Sequence, residues 1–195
     1  MQKSKIKISF NIDAWLANSP GFTTTDDWKQ WASSGRWPEE SLLNVSDIPA
    51  MMRRRMSQVS KLAVKTAIEL LKHHDVSYLI FSSRHGELHR SVTLIENILK
   101  GEETSPMAFA QSVHNTAAGL TTIATKQPIP LTSISASENT FQSALIEAWL
   151  FLQDNPSKKV LVVDFDEPLP KPYSEFESHR YHAYGVGLVV SNCHY

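Results

Sequence analysis

Cysteine is nearly missing from this sequence: the only one, Cys193, stands close to the last residue. An internal disulfide is therefore excluded, and a reducing, cytoplasmic setting is expected. Glycine is sparse as well, with seven scattered through 195 residues. No glycine-rich phosphate loop can be assembled from them. Gly185-Val186-Gly187 falls inside a predicted strand and lacks the rest of any nucleotide-binding fingerprint. The Gly-x-Ser-x-Gly elbow of the serine hydrolases does not occur. No apolar run approaches the ~20 residues that a membrane helix requires. The opening MQKSKIKISF reads as a first strand and not as a signal peptide. Charge of one sign is also lacking: the net charge is −1, with acids and bases interspersed. Without a basic stripe, nucleic acid is not an expected partner. The one dense cluster, Arg53-Arg54-Arg55, reads as the solvated start of a helix.

What remains is a chain of ordinary hydrophobicity, 42% apolar and 20% charged, sized for one compact domain over residues 1–195. Ile6, Ile8 and Phe10 alternate in Lys5 to Asn11, predicting a short strand. Residues 13–49 hold Trp15, Trp28, Trp31 and Trp37 among Pro, Ser and Asp, and are expected to form an irregular cap anchored by those rings. From Met56 to His74, apolar residues recur at spacings of three and four, predicting a helix. Val76–Phe81 predicts a buried strand, Glu87–Leu99 a helix stopped near Gly101, and 112–126 a small-residue helix. In that last helix Ala117, Ala118 and Gly119 should permit close backbone approach. Leu131–Ser137 is a strand candidate, Asn139–Gln153 an apolar helix, Lys159–Phe165 a buried strand and Gly185–Ser191 a closing strand, with a proline-rich linker at 168–172. Strands alternating with helices imply an α/β layered domain.

Eight histidines invite a test for metal. His85 and His89 lie four apart with Glu87 between them, but a zinc-protease helix needs its glutamate directly after the first histidine, where Gly86 stands. No third ligand is evident, so no metal is expected. His73-His74-Asp75 ends a helix, and His179 and His182 sit in a polar stretch expected to face water.

The segment Ser112–Trp149, SVHNTAAGLTTIATKQPIPLTSISASENTFQSALIEAW, carries more. It resembles the core of the β-ketoacyl synthases of the thiolase superfamily. Their pattern is a Ser/Thr-Val-x-Asn-x-x-Ala-Gly helix, a proline, a strand like Ser-Ile-Ser-x-Ala, then the nucleophilic cysteine and a helix. Val113, Asn115, Ala118 and Gly119 match the first helix, Pro130 the proline, Ser133, Ile134 and Ser135 the strand, and Ala144 and Ala148 the last helix. Met51–Leu71, Val160–Glu167 and Gly185–Ser191 resemble other parts of the same N-terminal half, so the likeness reaches most of residues 42–191.

The resemblance implies a thiolase-like N-terminal half: layered αβα with a mixed sheet. It also places Glu138 where the family has its cysteine. A carboxylate cannot serve there as the acyl-accepting thiolate. The family's two catalytic histidines belong to a C-terminal half, and none of His179, His182 and His194 stands in a matching context. The resemblance therefore implies a subunit without catalysis, of the chain-length-factor type, similar to the partner subunits of bacterial aryl polyene synthases. It would form a heterodimer with an active β-ketoacyl synthase in polyene, polyketide or fatty-acid-type biosynthesis, meet acyl carrier protein only through that synthase, and need no cofactor. In the thiolase fold the strand before the nucleophile pairs antiparallel with its counterpart across the dimer. Leu131, Thr132, Ser133, Ile134, Ser135, Ala136 and Ser137, with Asn115, would then form the partner interface. Met107, Phe109 and His114 would line the acyl tunnel and limit chain growth sterically. The competing expectation is a small decarboxylating or acyl-transfer enzyme that uses Glu138.

Overall fold

A computed structural model describes residues 7–22, 24–38, 42–177 and 181–193. Its centre is one five-stranded mixed sheet built from β1 (Phe10–Asn18), β2 (Tyr78–Ser82), β3 (Leu131–Ile134), β4 (Lys159–Asp166) and β5 (Tyr184–Asn192) in the order β1-β5-β4-β2-β3. β2 runs parallel to both β3 and β4, whereas β5 is antiparallel to β4 and β1. Among the described strands β3 has β2 as its sole neighbour, and it forms an open edge of the sheet.

Helices cover both faces, as expected for an αβα arrangement. The strand period of two sorts the apolar residues between them. Leu79 and Phe81 of β2 and Leu161, Val163 and Phe165 of β4 point to one side, against α3 (Gln58–Leu71) and α6 (Thr116–Thr125). Ile80, Val160, Val162 and Val190 point to the other, against Ala144, Ala148 and Leu152 of α7 (Thr140–Asp154). The long helix α3 lies inside the span predicted from its spacing and begins at Gln58, with the Ser57 hydroxyl accepting from Ser60 N at 3.1 Å. Ten of its 14 residues are buried, because it lies between the sheet and α6.

The two glycines of β5 belong to that packing. A Cβ on Gly187 would come within 2.4 Å of Leu70 Cδ1, and one on Gly185 within 3.1 Å of the Leu62 carbonyl oxygen. Gly185-Val186-Gly187 is thus where helix α3 presses on the sheet. Gly119 does not share this role, contrary to expectation: a Cβ there would meet nothing within 4 Å. Ala117 and Ala118 make the close approach instead, buried against α3.

Several expectations from sequence need correction. The first strand does not end at Asn11 but runs from Phe10 to Asn18; Lys5 and Ile6 lie outside the described residues. A register shift between Ile12 and Ala14 breaks the alternation, with Asp13 bonded to Lys159 and Ser191. Second, residues 13–49 are less irregular than their composition suggests, since they include the helix α1 (Thr25–Ser34). Thr24 and Asp27 close a reciprocal cap at its start, and Gly35 ends it at φ 64°. The tryptophans anchor this helix: Phe22 stacks on Trp28 at 4.1 Å, Trp31 lies 4.9 Å from Trp37, and Trp28 Nε1 donates to Ala17 O at 3.0 Å. Trp15 stands apart on β1, 56% exposed. Third, the helix expected at 112–126 starts only at Thr116, and the chain before it forms a separate short helix, α5 (Pro106–Ala110). The Arg53–Arg55 cluster closes another short helix, α2 (Ala50–Arg53), and does not open α3. The helix α4 (Leu88–Leu99) follows its expected span. No helix among the described residues is long and apolar enough to cross a membrane.

Candidate functional site

The parallel strands β2, β3 and β4 all end on the same side of the sheet, and the segments that follow them meet there. β3 ends at Ile134, three residues sooner than predicted. Ser135 Oγ instead donates to Arg84 O at 3.0 Å, and Ala136 N donates to Thr140 Oγ1 at 2.9 Å. Ser137 adopts φ 52°, a left-handed conformation costly for a residue with a side chain. Glu138 follows in a 3-10 turn, Ser137–Asn139, that leads into α7. The chain thus turns sharply from strand to helix and leaves the Glu138 carboxylate exposed at the turn.

Glu138 lines a cavity of about 360 Å³ together with Arg84, His85, Asp164, Tyr184 and Tyr181. The far wall comes from the proline-rich stretch, which is not an extended linker: Lys171–Phe176 coils into a 3-10 turn, and Leu169 N donates to the Glu177 carboxylate at 2.5 Å. Leu169 and Phe176 also line the cavity. Tyr181 donates to the Glu167 carbonyl at 2.7 Å, tying this stretch back to the end of β4.

Two acids near the end of β4 organise the floor, Asp166 buried and Asp164 half-buried. Asp164 accepts from Ser82 Oγ at 2.6 Å and from the Tyr184 hydroxyl at 2.9 Å. Burial raises its carboxyl above the usual range, the two hydrogen bonds oppose that, and neighbouring Asp166 adds to it. Burial likewise pushes both tyrosine hydroxyls up, reinforced by the nearby carboxylates, so Tyr184 and Tyr181 remain protonated donors. Asp166 accepts from Ser83 Oγ at 2.8 Å, Arg84 N at 2.7 Å and His85 N at 3.1 Å. It fixes the loop after β2 as an anion holds a nest of amides. Burial, joined by the Arg84 charge and opposed by Asp166, holds His85 below the usual imidazole value.

The remaining predicted residues fall around this floor. His114 Nε2 donates to Ser83 O at 2.8 Å, and its ring sits against Gly86, which adopts φ 54°. Ser83 N in turn donates to Ile134 O at 3.2 Å, so His114 is linked through the β2 loop to the end of β3. Asn115 precedes α6 with its side chain exposed and its carbonyl accepting from Gly119 N. Met107 and Phe109 lie on α5, 51% and 68% exposed, away from the cavity lining. His85 and His89 do not converge: His89 Nε2 donates to Pro168 O at 2.7 Å, while His85 faces the cavity. Among the described residues no group of three or more His, Cys, Asp or Glu is placed to hold a metal. His179 and His194 lie outside the described residues, and His182 stacks on Trp37 at 4.1 Å.

Sequence reasoning missed Arg84, Asp164, Asp166 and Tyr184. Their roles come from contacts across as many as 83 positions, and no local spacing announces them.

Residues 28–194 match the family described as the beta-ketoacyl synthase, N-terminal domain. The chain belongs to the β-ketoacyl synthase family. Within that family's structures it is similar to a chain of the complex of a ketosynthase with its chain length factor from Xenorhabdus doucetiae. The two are 34% identical with a TM-score of 0.86, over 96% of this chain and 80% of that one. The ishigamide ketosynthase/chain length factor (15% identity, TM-score 0.71, 92% of this chain and 60% of that chain) shares the fold. So does a β-ketoacyl synthase from Burkholderia phymatum (13% identity, TM-score 0.70, 96% and 60%). No curated protein matches the sequence. The fold expected from the resemblance, a thiolase-like mixed sheet between helical layers, is the fold observed.

Proposed function

We propose that this β-ketoacyl synthase homologue is a chain-length-factor-type subunit without catalysis, which pairs with an active ketosynthase and shapes the space for its growing acyl chain. The observation that carries the reading is Glu138. It occupies the strand-to-helix turn at which the resemblance calls for the family's cysteine, and it opens onto the cavity. A carboxylate at that turn cannot form the thioester on which condensation depends. Similarity to a chain from a ketosynthase–chain length factor complex supports the same reading.

The open edge of the sheet supports the mode of pairing. Leu131–Ile134 of β3 has one free side, and a partner strand would extend the sheet there. Ser135, Ala136, Ser137 and Asn115 would flank that seam. Met107 and Phe109 are apolar and mostly uncovered within the chain, which suits residues that meet another subunit. With His114 they would narrow the partner's acyl tunnel, and product length would be set by the volume they fill. Acyl carrier protein would be met through the ketosynthase. Aryl polyene biosynthesis is the setting this reading favours.

The test is co-expression with an active ketosynthase of the same organism, followed by turnover assays. A 1:1 complex that elongates malonyl thioesters, with no turnover by this chain alone, is the expected result. Malonyl thioester turnover by the isolated chain, abolished by Glu138→Gln, would establish the small-enzyme reading instead.

A further inference from the structure

Glu138 and Arg84 have a feature in common beyond the cavity they line. Both side chains are exposed, and no ion pair joins either to another described residue. The other acids around the cavity are engaged. Asp166 is taken up by Ser83, Arg84 N and His85 N, Glu177 by Leu169 N, and Asp164 by Ser82 and Tyr184. His85 is held toward its neutral form. Two unpaired charges of opposite sign are left beside the end of β3.

Their backbones are fixed by several hydrogen bonds. Arg84 is held by Asp166 through its N–H and by Ser135 through its carbonyl. Gly86 N donates to Ser83 Oγ at 2.7 Å, and His114 closes the loop from above. Beneath it, buried Glu87 accepts from Ser57 Oγ at 2.7 Å and from Ser60 Oγ. Burying two carboxylates to stiffen one short loop is costly unless the geometry of that loop matters. Glu138 is fixed in turn by the left-handed Ser137 and the Ala136–Thr140 bond.

We propose that Arg84 and Glu138 form a two-sign recognition device for the ketosynthase partner, Arg84 receiving a carboxylate and Glu138 a basic side chain as the partner's strand docks along β3. This rests on the function proposed above and adds a role for Glu138 beyond the loss of a nucleophile. A docked strand would strip water from both charges, and each then requires an opposite charge to avoid a desolvation loss. Opposite signs at one strand end also penalise a partner in the wrong register, where like charges meet.

The experiment measures the affinity of the full chain for the active ketosynthase, for the unaltered protein, Arg84→Glu, Glu138→Arg and the double reversal. Thermal melts check that each variant folds. Each single reversal should weaken binding by at least about tenfold, with a smaller dependence on salt. The double reversal should not restore it, because each partner charge then meets its own sign. Binding of either single variant within about threefold of the unaltered chain would overturn the inference. Full rescue by the double reversal would do the same, by showing that the two residues serve each other and not a partner. If the unaltered chain binds no ketosynthase, the proposed function itself falls and takes this inference with it.

Discussion

Replacing Asp166 with alanine removes the anion at the centre of the β2 loop. The side chain is buried, with 6% of its surface exposed, and it accepts from Ser83 Oγ, Arg84 N and His85 N at 2.8, 2.7 and 3.1 Å. A hydrogen bond to a charged group contributes about 1.5–3 kcal/mol, and a buried donor left unmet costs about 1–3 kcal/mol. Two effects reduce the sum. Water from the cavity can reach Arg84 N and His85 N, and removing Asp166 relieves its repulsion of Asp164 and Glu167. The net expected loss is about 2–4 kcal/mol, less than the three bonds would give if summed. For a chain of this size that corresponds to a Tm lower by roughly 5–15 °C. Urea unfolding should show the loss as a lower midpoint at unchanged slope. Asp166→Asn keeps one acceptor oxygen and should lose about half as much. Hydrogen exchange should localise the damage to residues 83–87. A loss under about 1 kcal/mol, or exchange unchanged in that loop, would show that Asp166 does not hold the platform.

Gly187→Ala should destabilise the protein by about 1–3 kcal/mol in the same unfolding assay, because its Cβ meets Leu70 Cδ1 and Thr66 Cγ2 at 2.4 and 2.9 Å. Gly119→Ala, facing open space in mid-helix, should instead stabilise by about 0.5–1 kcal/mol. Asp164 has its folded pKa raised by burial, so the folded state holds its proton more tightly than the unfolded state does. Its contribution is therefore lost as pH rises through that folded value, and Asp164→Asn should gain stability relative to the parent as pH rises above the ordinary carboxyl range; parallel curves would refute this. Phe109→Ala, made in the proposed complex with a ketosynthase, should shift products toward longer chains by mass spectrometry, and an unchanged distribution would refute the proposed tunnel role of Phe109.

The parts of the fold that were legible in sequence are those whose signal is local and apolar. Helix α3 follows from its three-and-four spacing, and β4 from the apolar run Val160–Val163 with the sheet covered on both faces. The extension of β1 was hidden because the shift at Asp13 moves its side chains out of phase. Helix α1 was hidden for a different reason: none of its residues is buried, so it has no aliphatic stripe, although Thr24, Asp27 and Gly35 mark its two ends. At the site, the motif located the turn that carries Glu138. It did not reveal the wall built by Leu169, Phe176 and Tyr181, or the hold of Asp166 on a loop far upstream, because such contacts depend on how the sheet orders its strands.

That strand order also decides where labels can go. Phe10 at the start of β1 sits opposite Asn192 at the end of β5, so the two ends of the described chain emerge side by side at one margin of the sheet. Four inter-strand steps, roughly 20 Å, lie between that margin and β3. A fluorophore or affinity handle attached at Phe10 or Asn192 would ride on the far margin of the sheet from β3, leaving the proposed docking edge free while association is watched.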